Sequence, residues 1–132
     1  MVAKILLFAA LLYTSAITYF SLIVMDFKVS VGGFDPTDKM LHAGAYLFLA
    51  CLWKLYFVFQ KPDFKRYTSN LYWVAFACFV FGMLIEVLQG TLTSYRTPDW
   101  WDVVANSTGV VLAVLFFIVM APTVKKVKQK VS

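Results

Sequence analysis

LYWVAFACFVFGMLIEVLQ, residues 71–89, decides the fold. It carries a single charged residue, Glu86, in a run of aliphatic and aromatic side chains. A helix rises 1.5 Å per residue, so a hydrocarbon core ~30 Å thick is crossed by about 20 such residues. The stretch reads as a membrane-spanning helix. Outward from it, residues 5–25, 40–59 and 101–121 form apolar blocks of similar length. The expected fold is all-α, a four-helix transmembrane bundle with helices over about 5–25, 38–59, 71–90 and 99–121. Residues 122–132 follow as a basic tail, and one domain covers 1–132.

Composition agrees. The chain is 61% hydrophobic and 14% charged, where a soluble domain is about 45–50% apolar and about 25% charged. Mean hydropathy is +0.76. A membrane barrel would show segments of about ten residues with alternating hydrophobicity, and none is present. The first block is longer than a signal-peptide core and lacks a small-residue cleavage site after it, so it is expected to remain as a span. Cys51 and Cys78 fall inside spans and read as small packing residues.

Basic residues set the expected orientation. Lys4, Lys54, Lys61, Lys65, Arg66, Lys125, Lys126, Lys128 and Lys130 lie on one side, and Lys28, Lys39 and Arg96 on the other. The positive-inside rule then places both termini in the cytoplasm and the protein in the plasma (inner) membrane as a multi-pass chain. Trp100 and Trp101 read as outer interface anchors, and Trp53, Tyr56, Tyr72 and Trp73 as inner ones. Lys54 is expected to snorkel toward the inner interface. The tail is expected to lie on anionic headgroups. Its charge is an anchoring feature, and no nucleic-acid partner is expected.

Two helix starts look alike. Asp35 and Thr97 are placed as N-caps, with Pro36 and Pro98 at the first helical positions, where a missing N–H is harmless. Polar and small residues then recur at helical spacing: Asp38, His42 and Ala45; Cys78, Gly82, Glu86 and Gln89; Asp102, Asn106, Gly109 and Ala113; Ala10, Thr14, Thr18 and Ser21. Each set shares one helix face, and such stripes mark helix contacts in membranes. Asn106-Ser107-Thr108 matches a glycosylation sequon, but at the start of a span it reads as chance. By depth, Asp38, Lys39, His42, Glu86, Gln89, Arg96, Asp99, Asp102 and Asn106 form one polar layer on the extracytoplasmic side. A charge at the bilayer centre costs about 2.5 kcal/mol or more, so a layer dipping into the membrane is a candidate site.

The ordered set Asp38-Lys39-x-x-His42, Glu86-x-x-Gln89, Arg96, then Asp102-x-x-x-Asn106-x-x-Gly109 resembles the VanZ-like family of small bacterial membrane proteins. The resemblance spans roughly residues 35–113. Gly90 to Tyr95 departs from it in lacking a proline-containing loop before the arginine. The family's namesake is associated with low-level teicoplanin resistance. The resemblance implies that the matching residues form the family's polar site.

The leading reading is a binding site for an anionic or polar headgroup, from a cell-envelope lipid or a peptidoglycan precursor. Lys39, Arg96 and two helix N-termini would act as donors. An enzyme acting on a lipid-linked substrate would use His42 as base with Glu86 and Asp102. A metal held by His42, Glu86, Asp99 and Asp102 is conceivable chemically. A single histidine and the lack of a compact ligand motif weigh against it, and neither metal nor cofactor is expected. A small transporter would titrate Glu86, and a purely structural charge network would only fix helix register.

Overall fold

The computed structural model describes residues 1–23, 36–93 and 98–131. They form five helices: α1 (Val2–Leu22), α2 (Pro36–Gln60), α3 (Tyr67–Leu92), α4 (Trp100–Val119) and α5 (Ala121–Val131). The first four are long and apolar enough to cross a membrane. Phe76, Leu84, Val87, Leu115 and Val119 are among many exposed large apolar side chains. Such a surface suits hydrocarbon and not water.

α2, α3 and α4 differ from their expected bounds in ways their ends account for. α2 opens at Pro36, the position expected for a first-turn proline; its expected cap, Asp35, lies outside the described residues. α3 starts at Tyr67, a turn earlier than its apolar run, and continues past Gly90 to Leu92. There the Pro98 ring packs on Gly90 where a Cβ would otherwise sit. α4 starts at Trp100, not Pro98. Its N-cap is Asp99, whose Oδ1 accepts from the Trp101 N–H at 2.9 Å, while Thr97 lies outside the described residues. Asp99 is the better cap because its carboxylate meets the second N–H of the helix with full charge.

α2 is the hub, packed against α1, α3 and α4. Lys39 of α2 meets the first turn of α4, so these two helices run parallel. Gln89 near the end of α3 reaches Ser21 near the end of α1, so these two run parallel as well, in the opposite direction. The contact of α2 with α4 is close because of Gly109: a Cβ there would overlap the Ala43 carbonyl oxygen and lie 2.9 Å from the Leu47 nitrogen. This is the backbone approach that small residues permit in membranes. Buried Ile17, Tyr46, Leu49, Val74, Cys78 and Val110 belong to one core cluster, and Val58, Tyr67, Leu71 and Phe117 form a second.

The second cluster corrects the reading of Lys54. This lysine does not snorkel; it is 1% exposed, donates to the Tyr67 carbonyl at 2.6 Å and lies 3.8 Å from the Tyr67 ring centroid. Only residues 61–66 separate α2 from α3, so α3 begins directly against α2 and covers the amine. The Tyr67 hydroxyl then donates to the Phe117 carbonyl at 2.7 Å, satisfying an acceptor in the last turn of α4. Trp53 also turns inward in part, its Nε1 donating to Thr14 Oγ1 at 3.1 Å.

The basic tail is a helix. Pro122 sits in the first turn of α5, where it is harmless. Lys128 is buried and donates to the carbonyls of Lys61 and Asp63, pinning α5 across the α2–α3 connection. Lys125, Lys126 and Lys130 remain exposed.

Candidate functional site

The polar end of the bundle is built where α2 and α4 both begin. Lys39, one turn into α2, reaches across to α4. Its Nζ donates to Asp99 Oδ2 at 2.6 Å, to Asp38 Oδ2 at 3.2 Å and to Asp102 Oδ1. The Lys39 side chain is 12% exposed and that of Asp102 only 5%. One cation therefore serves three carboxylates.

His42 lies one turn further along α2, on the same face as Asp38. Its Nε2 is 3.7 Å from both Asp38 Oδ1 and Asp102 Oδ2. Its Nδ1 lies 3.1 Å from Asn106 Oδ1. The two carboxylates thus divide their oxygens, one toward Lys39 and one toward His42. Asn106 is 3% exposed, and its Nδ2 has no hydrogen-bond partner among the described residues.

Among the described residues, Asp38, Asp99 and Asp102 share the single Lys39 ammonium. Asp99 is the outermost member, just ahead of α4. Partial burial works against its charge, but the hydrogen bonds from Lys39 and from the Trp101 N–H outweigh that and hold its carboxyl below the usual carboxylate range.

Of the other expected site residues, Gln89 bonds outside this cluster. Gln89 is 2% exposed; its Nε2 donates at 2.7 Å to the Ser21 carbonyl, an acceptor left open where α1 ends. Glu86 is buried on α3, 5% exposed. Arg96 lies outside the described residues. Of the expected metal donors, Asp99 bonds Lys39, while the donor atoms that lie together, within 4.8 Å of one another, belong to Asp38, His42 and Asp102.

Tyr46 was not singled out by the sequence. It is 2% exposed, one turn below His42, and its hydroxyl is unpaired among the described residues. A Cβ on Gly82 would lie 3.0 Å from its ring and 3.3 Å from Asn106 Nδ2. Its i+4 spacing from His42 was the available signal, but a tyrosine inside a span reads first as core. An apolar groove of about 420 Å³ opens between α1, α2 and α3, lined by Thr14, Leu49, Trp53, Phe57, Trp73 and Cys78 among others. None of the charged cluster lines it.

A model of the VanZ/LLP1 family matches residues 4–121. No curated protein and no solved structure matches the chain.

Proposed function

From the premise that the chain belongs to the VanZ/LLP1 family and is a multi-pass membrane protein, we propose that its polar end binds the headgroup of a cell-envelope lipid or a peptidoglycan precursor. The binding face is extracytoplasmic, with both termini in the cytoplasm and the chain in the plasma membrane. Tolerance to a glycopeptide antibiotic such as teicoplanin is the phenotype that belongs to this reading.

One observation carries the choice of headgroup chemistry. Lys39 is already engaged by three carboxylates, so it is a poor free donor for a phosphate. Among the described residues of the cluster, the most accessible groups are acceptors: the Asp38 and Asp99 side chains are 28% and 39% exposed. Ionised carboxylates are acceptor-only. The preferred ligand therefore presents hydroxyl, amide or ammonium donors, as sugars, peptides and amino headgroups do. This shifts the emphasis away from anionic groups gripped by lysine.

The test is native mass spectrometry of the purified chain with three probes: a lipid-linked disaccharide-peptide, phosphatidylethanolamine and phosphatidylcholine. Phosphatidylcholine has no N–H or O–H donor in its headgroup. Retention of the first or second over the third is expected, with Asp38→Asn and Asp99→Asn each weakening binding about tenfold, the size of one charge-assisted hydrogen bond. Equal retention of all three, unchanged in both variants, sinks the proposal. Catalysis through His42, Glu86 and Asp102 draws on less: His42 Nε2 and Asp102 Oδ2 are 3.7 Å apart, beyond a hydrogen bond.

A further inference from the structure

We propose that Asp38 Oδ1, His42 Nε2 and Asp102 Oδ2 together hold a divalent cation at the α2–α4 end of the bundle. The inference is read from these ligands themselves and stands whether or not the headgroup reading does.

Three observations meet here. The first is the tautomer. The contact of His42 Nδ1 with Asn106 Oδ1 at 3.1 Å calls for a proton on Nδ1. In the neutral ring that leaves Nε2 as a lone pair. It faces two carboxylate oxygens, each 3.7 Å away. A lone pair set between two anionic oxygens is repulsive, and either a second ring proton or a cation between the three atoms relieves it.

The second is the spacing. At 3.7 Å neither oxygen accepts a hydrogen bond from Nε2, since N–H···O contacts run about 2.7–3.2 Å. Two ligand atoms bound about 2.0–2.2 Å from one ion are roughly 3–4 Å apart. The three donor atoms fall within 4.8 Å of one another, so modest closure around an ion brings all three into range. Lys39 does not fill this place, because it bonds the opposite oxygens, Asp38 Oδ2 and Asp102 Oδ1.

The third is Asn106. It is 3% exposed, its Nδ2 is unpartnered among the described residues, and its Oδ1 is held against His42. A buried amide with one orphaned end is unfavourable, so its place beside His42 calls for a reason. Fixing the far nitrogen of a histidine is what outer partners of metal-ligating imidazoles do. One nitrogen and two carboxylate oxygens suit Mn²⁺, Fe²⁺ or Zn²⁺ better than a soft ion.

The experiment uses the full chain in detergent, stripped with chelator and free of added lipid, titrated with Mn²⁺ and followed by electron paramagnetic resonance. One Mn²⁺ per chain is expected, with nitrogen modulation from a bound imidazole in the pulsed spectrum. His42→Gln should remove the modulation and weaken binding more than tenfold. Asn106→Ala should weaken it about tenfold, the lower end for an outer partner. Asp63→Asn, an exposed acid in the α2–α3 connection, should leave it unchanged. Absence of Mn²⁺ binding at millimolar concentration overturns the proposal. So does binding that survives His42→Gln, or that shows no nitrogen modulation, because the ion is then only a counterion of the carboxylates. If Asp102→Asn fails to fold, His42→Gln and Asp38→Asn still decide. Failure of cation binding and failure of headgroup retention are read in separate samples.

Discussion

Lys39 of α2 donates to Asp99 of α4 at 2.6 Å, across a chain separation of sixty residues. The same amine holds Asp102, the more buried acid, and Asp38 beside it. α2 and α4 are therefore joined at their first turns by one cation.

Lys39→Met should be strongly destabilising. Breaking a buried ion pair by removing one partner costs about 3–5 kcal/mol, because the remaining charge is uncompensated. Asp102, with its side chain 5% exposed, is that remaining charge. A large drop in thermal midpoint in detergent is expected, partly restored in Lys39→Met/Asp102→Asn. An unchanged midpoint in the single variant would show that the pair does not join the helices.

Two glycines should behave oppositely. A Cβ on Gly109 would overlap the Ala43 carbonyl, which is backbone and cannot rotate away. Gly109→Ala should lower stability by about 3 kcal/mol, the upper end for overpacking. Gly44, also helical, has nothing within 4 Å of the place a Cβ would take. Gly44→Ala should be neutral or stabilise by up to about 1 kcal/mol. Comparing their thermal midpoints checks both.

Acid should weaken the α4 cap at a definite place. The Asp99 carboxyl is held below its usual range by Lys39 and the Trp101 N–H. A depressed folded value means that the stabilisation is complete above the unfolded value, near 3.9, and is lost as pH falls through the lower folded value. Stability contributed by Asp99 should therefore be flat from pH 7 to about pH 5 and decline below about pH 4. Asp99→Asn should flatten that part of the acid limb, measured as thermal midpoint against pH. A limb identical to the parent's would remove Asp99 from the account.

Orientation is open to direct labelling. With both termini cytoplasmic, Lys130→Cys should resist a membrane-impermeant maleimide in intact cells and react after lysis. Trp100→Cys, 78% exposed at the opposite end of α4, should react in intact cells. The reverse pattern would put the polar end in the cytoplasm and overturn the envelope-ligand reading.

Much of the architecture was legible in the chain alone. Residues 71–89 read as a span because hydrocarbon thickness fixes a length and excludes charge, and both constraints are written along the chain. Cys78, Gly82, Glu86 and Gln89 were placed on one buried face by their spacing, and all four are buried on α3. Gly109 was legible as a close-approach residue, though not what it approaches. On α2 the expected stripe was less accurate. Asp38, His42 and Ala45 are only half-buried, while Tyr46, Leu49 and Ala50 are the buried residues. A helix touched on three sides has a wide buried face, and apolar bulk claims its centre.

By itself, then, the sequence determined four helices long and apolar enough to cross a membrane and the buried face of α3, since these depend on local geometry and on the solvent around each helix. Only the tertiary structure decided the partners. Lys39 takes three acids, Gln89 turns to Ser21, Lys54 is covered by Tyr67, and Lys128 fastens α5 to the α2–α3 connection. Long polar side chains choose among several acceptors at similar depth. The choice follows from the rotation and separation of neighbouring helices, and those are set by contacts such as Gly109 on Ala43, between residues far apart in the chain.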